Sequence, residues 1–500
     1  MVMQFGHDDA NEAWLMHVPA KCLSGWWIAM LLSVPSFAAS SNDLRLLEAV
    51  KNGKNEQAVR SLLEEHADPN TSQADGATAL AWAVHLNDLE TAGLLIRAGA
   101  NANKANDYGA TPLWLACSNR NAAIVEMLLE AGANPNAALA SGETPLMAAS
   151  QKSIEIVELL LAHGADANAR ETTGGQTALM WALAERQPEI ARMLIEHGAD
   201  IHARSKSSFT PLHFAAQKGD LGSAKLLQAK GADVNAASPE YSTPLVVATT
   251  NGQQDVALFL LENGADPNVV DAHGFTVLHY AAATDGDKLE KLVKALLAHG
   301  ANPNVRSVKI DGVIPVVEAP VGSTPFFLAT DAHNLGVMRI LADGGADPLL
   351  ATTKIAQSRA LQSVGNTTPL MMAAGLGRYL NIAPEYTEEE EKSALEAAKL
   401  AVELGADVNA ANEYGWTALH IAAYMGANTI IQFLVDKGAK IDAMDNFGQT
   451  PLSIASRIIT VRMNLYVGRP RKFRESTANL LLKLGATPLA ASGVQAASIQ

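Results

Sequence analysis

Thr210-Pro211-Leu212-His213-Phe214-Ala215-Ala216 recurs along this chain in close variants. Leu or Phe stands two positions after the Thr, and Ala five positions after it, in copies that begin at Thr78, Thr111, Thr144, Thr177, Thr210, Thr243, Thr276, Thr324, Thr368, Thr417 and Thr450. The first seven copies are spaced by 33 residues. Such a period predicts an all-α solenoid, in which each repeat buries its apolar face against its neighbours.

Each copy predicts two helices followed by a loop. The Thr hydroxyl is expected to cap the first helix, and Pro at the next position has no amide hydrogen to lose. The recurrent Ala indicates that neighbouring helices approach closely. A second helix, such as residues 124–129, has apolar residues at helical spacing. It ends at a glycine of a segment such as Gly231-Ala232-Asp233-Val234-Asn235, where a left-handed residue is needed.

The succession of helix, helix, Gly-Ala-Asp-x-Asn, turn and Thr-Pro-Leu-His resembles the ankyrin repeat. The resemblance covers residues 41–490 and about twelve repeats. It implies helix-turn-helix units with β-hairpin fingers, arranged as a single elongated, curved domain. It also implies that His213, His279 and His420 brace neighbouring loops by hydrogen bonds.

The first 40 residues do not fit the repeat. Lys21 precedes an apolar run over residues 23–34, and Pro35 and the small residues of 36–40 follow it, which is the order of a secretory signal peptide. Met1 or Met16 is the start of translation. We expect this segment to be cleaved from a bacterial protein that is exported and acts in the periplasm or outside the cell. The alternatives for the segment are an uncleaved membrane anchor and a buried helix.

Composition limits the classes of partner. The formal net charge of −15 over 500 residues disfavours binding to nucleic acid. The two cysteines are Cys22, inside the predicted signal, and Cys117, which stands where other repeats have a small core residue. A mature chain with one cysteine does not depend on internal disulfides. Separately, we expect the protein to act as a monomer.

Four insertions interrupt the period, near residues 305–322, 351–366, 376–391 and 458–473. The first contains an Asp311-Gly312 turn and predicts a longer hairpin. In the third, Thr387 and Glu390 form a capping box that predicts a second helix over about residues 388–404. The Glu run at 388–391 is interpreted as a cap and solvated face, with a cation site as the alternative. Residues 491–500 are expected to be a disordered tail.

The fourth insertion and its flanks carry a basic cluster that includes Arg469, Arg471 and Arg474. The cluster is interpreted either as a solvated capping loop or as a contact with an anionic partner such as a lipid headgroup, acidic polymer or acidic protein.

Catalytic and metal signatures are missing from the sequence. It has no phosphate-binding loop, no His-Glu-x-x-His, no paired cysteines and no Gly-x-Ser-x-Gly. The acids Asp166, Asp200, Asp233, Asp266 and Asp407 recur once per loop, which predicts capping of backbone amides and not a calcium site. We therefore predict a protein without enzyme activity, cofactor or metal.

The ankyrin resemblance implies a protein-binding module that uses its finger tips and the exposed ends of the first helices along a concave face. Aromatic residues are enriched at binding hot spots. Applying the family's contact positions to this sequence, and adding the basic cluster, gives the candidate partner-contact residues. They are Tyr108, Phe209, Tyr241, His273, Phe275, Tyr414, Trp416, Tyr424, Phe447, Arg469, Arg471 and Arg474.

The predicted function is a scaffold or adaptor that binds a protein partner. The alternatives are a secreted effector directed at another organism, or a membrane-tethered organiser if the N-terminal segment is retained; a cryptic enzyme comes last.

Overall fold

The computed structural model describes residues 44–53, 56–239, 242–271, 274–284, 289–308, 321–353, 365–376, 386–456 and 474–488. The chain divides into two compact units, residues 1–259 (unit 1) and 260–500 (unit 2). The predicted signal or anchor (1–40), the predicted tail (491–500) and the insertion at 458–473 lie outside the described residues, as does most of the other three insertions.

The described residues form 24 helices. Those that begin in unit 1 are α1 (Leu44–Lys51), α2 (Glu56–Glu64), α3 (Ala79–His85), α4 (Leu89–Arg97), α5 (Pro112–Asn119), α6 (Ala122–Glu130), α7 (Pro145–Ser150), α8 (Ile154–Ala162), α9 (Ala178–Ala184), α10 (Pro188–Glu196), α11 (Pro211–Lys218), α12 (Leu221–Ala229), α13 (Pro244–Thr250) and α14 (Gln254–Glu262). Those of unit 2 are α15 (Val277–Ala283), α16 (Glu290–Ala298), α17 (Pro325–Asp331), α18 (Leu335–Asp343), α19 (Pro369–Ala373), α20 (Glu388–Glu403), α21 (Ala418–Met425), α22 (Asn428–Asp436), α23 (Pro451–Ala455) and α24 (Glu475–Lys483).

The first helix of each repeat begins immediately after its threonine, as predicted. Thr78 Oγ1 accepts the amide hydrogen of Ala81 at 3.2 Å, and Thr111 Oγ1 accepts that of Trp114 at 3.2 Å. This bond satisfies one of the amides that a helix start leaves without a partner inside the helix. The capping box of α20 is also confirmed: Glu390 N donates to Thr387 Oγ1 at 3.2 Å, and Thr387 N donates to Glu390 Oε2 at 2.7 Å.

Small residues set the spacing between first helices. The alanines five positions after the capping threonines are all at most 1% exposed: Ala83, Ala116, Ala149, Ala182, Ala215, Ala248, Ala281, Ala329, Ala373, Ala422 and Ala455. Helix α5 packs against α7 as well as against its own partner α6, and α11 packs against α13 and α12 in the same way. A methyl group at this position lets adjacent first helices lie close together, which confirms the predicted stacking within each unit.

A tight turn precedes each capping threonine, and we call it the finger turn. In residues 106–110, Asn106 N donates to Ala110 O at 3.1 Å and Gly109 N to Asn106 O at 2.9 Å. Ala140 N of the next finger turn donates to Tyr108 O at 3.0 Å. A few bonds of this kind do not make a continuous strand ladder, and the described residues contain no strand. The fingers are therefore tight turns, with an isolated antiparallel bridge between Ser72 and Thr78 in one of them, and the predicted β-hairpins are reduced to this minimal form.

In the described part of the chain, no helix is both long enough and apolar enough to cross a bilayer.

Candidate functional site

Asparagine side chains join the loops of consecutive repeats. Asn168 Nδ2 donates to Gly198 O at 2.9 Å, and Asn168 Oδ1 accepts the amide hydrogen of Asp200 at 2.7 Å. The same pair of bonds is made by Asn70, Asn103, Asn136, Asn268, Asn304 and Asn409. We call this series the loop ladder. It holds each of these loops in register with the next, because both groups of one amide are bound to one neighbouring loop.

The loop acids act within their own loops. Asp166 Oδ1 accepts the amide hydrogen of Asn168 at 2.8 Å, and Asp200, Asp233, Asp266 and Asp407 accept equivalent bonds two residues on. This confirms the prediction of amide capping. Among the described residues, no group of three or more His, Cys, Asp or Glu is placed to hold a metal ion.

Three histidines connect a helix start to the next finger turn. His213 Nδ1 accepts the amide hydrogen of Thr210 at 3.1 Å, so its Nε2–H donates to Ser242 O at 3.0 Å. His279 and His420 make the same contacts, to Ser323 O and Gln449 O. The bracing role inferred from the resemblance is confirmed.

Burial controls the charge of these histidines. Because the imidazolium form would be desolvated, burial lowers the pKa of His213 and of His279 to about 4, and lowers that of His420. The three rings are therefore neutral at pH 7 and serve the packing of the fingers.

Five of the predicted aromatic contact residues lie at least partly at the surface. Tyr108 is 43% exposed at the tip of its finger turn. Phe209 is half-buried and stacks on His213 with ring centroids 4.7 Å apart. Tyr414 and Phe447, on consecutive finger turns, lie 6.4 Å apart, and Tyr424, 6.1 Å from Trp416, is half-buried at the end of α21.

Two predicted contact residues are buried instead. Phe275 is 2% exposed and packs against His279 and Tyr280, with centroid distances of 5.1 and 5.8 Å. Trp416 is 5% exposed and donates its Nε1–H to Asp445 Oδ2 at 3.0 Å. Phe275 packs on the helix of its own repeat and Trp416 joins its finger turn to the next, so this structure does not offer either side chain to a partner.

Five predicted contact residues remain. Tyr241, His273, Arg469 and Arg471 lie outside the described residues. Arg474 is described: it is half-buried at the start of α24, and its amide donates to Ala455 O at 3.1 Å.

Cys117 has the structural role that the sequence predicted. It is fully buried in α5, and burial raises the pKa of its thiol. A thiol with a raised pKa and no exposure is a core residue, not a nucleophile.

Sequence reasoning missed an arrangement on the finger turns of unit 1. Arg170 Nη2 donates to Arg204 O at 2.7 Å, and Arg204 Nη1 donates to Ala237 O at 2.9 Å. Lys206 Nζ donates to Thr172 O. All three cationic side chains are exposed. The sequence did contain a signal for this arrangement, because Arg170 and Arg204 stand the same number of residues after the glycines of their loops.

Family models for ankyrin repeats match residues 46–138, 136–205, 212–307 and 390–461, and a second ankyrin model matches residues 185–228. These matches cover more than half of the chain. The chain belongs to the ankyrin repeat family. Ankyrin repeats are protein–protein interaction modules, and the capping threonines, bracing histidines and finger turns described above are its ankyrin units.

Curated relatives match a short segment. Notch-regulated ankyrin repeat-containing proteins from Xenopus tropicalis and Homo sapiens are 54% and 51% identical to it over 43 residues. That segment is 9% of this chain and 38% of each relative, so the chain spans less than two thirds of the relatives it matches. The similarity supports the repeat and does not extend to a whole protein.

Proposed function

We propose that this ankyrin repeat protein is a non-catalytic scaffold that binds a partner protein through its finger turns and the C-terminal ends of its first helices. The observation that carries the proposal is the pairing of Tyr414 and Phe447 on consecutive finger turns. Two partly exposed rings 6.4 Å apart present an apolar surface at a fixed geometry, and Tyr108 adds an exposed ring in unit 1. Aromatic side chains held in this way lose little conformational entropy on binding.

Electrostatics favours a protein over nucleic acid as the partner. A net charge of −15 repels a phosphate backbone over the whole molecule, whereas a protein surface can match local charge. The proposed active form is a monomer of about twelve repeats.

Affinity purification with the full chain tests the proposed surface. The variant Tyr414→Ala/Phe447→Ala is compared with Ile154→Ala/Leu482→Ala, which removes exposed apolar side chains from second helices instead. The finger variant is expected to lose proteins that the natural chain and the control both retain. Identical captured sets for all three chains would refute binding through these fingers.

We also propose export, with a periplasmic or extracellular site of action. The apolar run over residues 23–34 and the small residues before position 40 support it. Mass spectrometry of the protein from its native host tests this: a mature N-terminus near residue 39 or 40 is expected. A retained N-terminal segment in membrane fractions would favour a tethered organiser over a secreted scaffold.

A further inference from the structure

We propose that the finger turns around Arg170, Arg204 and Lys206 bind an acidic, extended segment of the partner protein, with carboxylates at every third residue. This inference rests on the proposed function and adds the chemistry of the partner. We call these three side chains the cationic ridge.

The cationic ridge is unneutralised in an acidic chain. Each of its charges is exposed, and each is held by backbone carbonyls, which accept a hydrogen bond without cancelling the charge. In the part of the chain that the structure describes, none of the three is within ion-pair distance of a carboxylate. The positive charge is therefore available to a ligand.

Carboxylates of the same and neighbouring loops are bound to backbone amides or are partly neutral. Glu171 is 7% exposed and accepts the amide hydrogens of Thr173, Gly174 and Gln176. Burial, and then the charge of Glu171, raise the pKa of Glu143 to about 7, so part of the Glu143 population is neutral. The loop acids Asp166 and Asp200 are bound to amides of their own loops.

The guanidinium groups are also positioned in advance. A guanidinium carries five N–H donors. Arg170 uses one on Arg204 O, and Arg204 uses Nη1 on both Ser208 O and Ala237 O. Several donors on each remain for a carboxylate. Because these anchors already restrict the side chains, binding costs less conformational entropy than it would for free surface arginines.

Spacing selects the form of the acidic segment. Arg170 and Arg204 occupy equivalent positions of adjacent repeats, since each donates to the corresponding backbone carbonyl of the next repeat. Packed helices repeat at about 8–10 Å. A polyproline II segment has three residues per turn and rises about 3.1 Å per residue, so every third side chain lies on one face, about 9 Å apart. Acidic side chains at that interval match consecutive arginines.

Fluorescence anisotropy with labelled peptides at low salt tests the match. The probe is (Glu-Pro-Pro)4, and (Glu-Glu-Pro-Pro-Pro-Pro)2 has the same composition with its charges in pairs. The natural chain is expected to bind the first peptide more tightly than the second. Arg170→Gln/Arg204→Gln/Lys206→Gln should weaken the first by about tenfold, which is the scale for loss of three exposed charge pairs.

Two further variants separate charge from folding. Arg97→Gln/Lys225→Gln/Lys230→Gln removes the same charge from exposed positions on second helices or directly after one, and should change the affinity less than twofold. Arg170→Lys/Arg204→Lys keeps the charge but loses the guanidinium donors and the carbonyl anchors, so its affinity should lie between those of the natural chain and the ridge variant. Circular dichroism of each variant reports whether the repeats remain folded.

Several results would overturn the inference. One is equal affinity for the two peptides, and another is unchanged affinity for the first peptide in the ridge variant when its circular dichroism is also unchanged. A third is equally tight binding of labelled oligothymidylate, which would indicate general attraction of anions. If partner capture depends on Tyr414 and Phe447 but the peptide does not bind, this inference alone fails. If the peptide binds as expected and capture ignores the fingers, the proposed function fails instead.

Discussion

Replacing Asn168 by Ala is expected to weaken the contact between two neighbouring loops. The change removes both ladder bonds, Nδ2 to Gly198 O at 2.9 Å and Asp200 N to Oδ1 at 2.7 Å. Each such bond contributes about 0.5–1.5 kcal/mol net. Since these loop groups are exposed and water can replace the amide, we expect a loss of about 1–2 kcal/mol in the free energy of unfolding.

His202 provides the matching gain. It stands at the ladder position of the next loop, and in the described structure its side chain makes no ladder bonds to Gly231 or Asp233. His202→Asn supplies the missing amide and should stabilise the unit by up to about 1 kcal/mol. His202→Ala is the control, because it removes a side chain that makes no such bonds and should have little effect.

Urea unfolding followed by circular dichroism gives the free energies, and hydrogen exchange locates the change. In a repeat protein the stability of an interface depends on its nearest neighbours. The amide of Asp200 should therefore exchange faster in Asn168→Ala, and that of Asp233 more slowly in His202→Asn. If Asn168→Ala changes neither the unfolding midpoint nor the exchange of Asp200, the loop ladder does not hold the repeats together.

The other predictions concern the packing, the histidines and the helix caps. Ala215→Leu should overpack the first helices and cost about 1–3 kcal/mol, and an unchanged thermal melting profile would contradict the packing described here. Below pH 6.5 the unfolded state takes up protons that buried His213 and His279 do not, so the free energy of unfolding should fall towards pH 4. The slope is about 1.4 kcal/mol per pH unit for each ring. Urea unfolding from pH 7 to 4.5 measures this slope, and His213→Gln/His279→Gln should flatten it. An equally steep slope in the variant would rule out these rings as the source of the pH dependence. Thr387→Ala should cost about 1 kcal/mol and increase fraying of α20 in hydrogen exchange, whereas Thr387→Ser should not.

The helix pairs could be predicted from the sequence because their causes are local. A threonine caps amides two or three residues away, and a glycine ends its helix. The alanine position represented by Ala215 must be small because adjacent first helices meet there. Even α20, inside an irregular region, followed from Thr387 and Glu390, since a capping box needs only four consecutive residues.

The loop ladder was not predicted, although its asparagines recur visibly. The partners of Asn168 lie about 30 residues away, and only the stacking of repeats brings them within hydrogen-bond distance. The cationic ridge was missed for the same reason, because the carbonyl that anchors Arg170 belongs to the next repeat.

The sequence by itself determined the repeat, its helices and the positions where a finger can carry an aromatic residue. Which aromatic residues reach the surface was decided only by the tertiary structure. Phe275 and Trp416 are buried by neighbouring rings and Asp445, whereas Tyr108 remains exposed at the same kind of turn. Exposure depends on what the folded chain packs against a side chain, which is the following helix for Phe275 and also Asp445 of the next finger turn for Trp416.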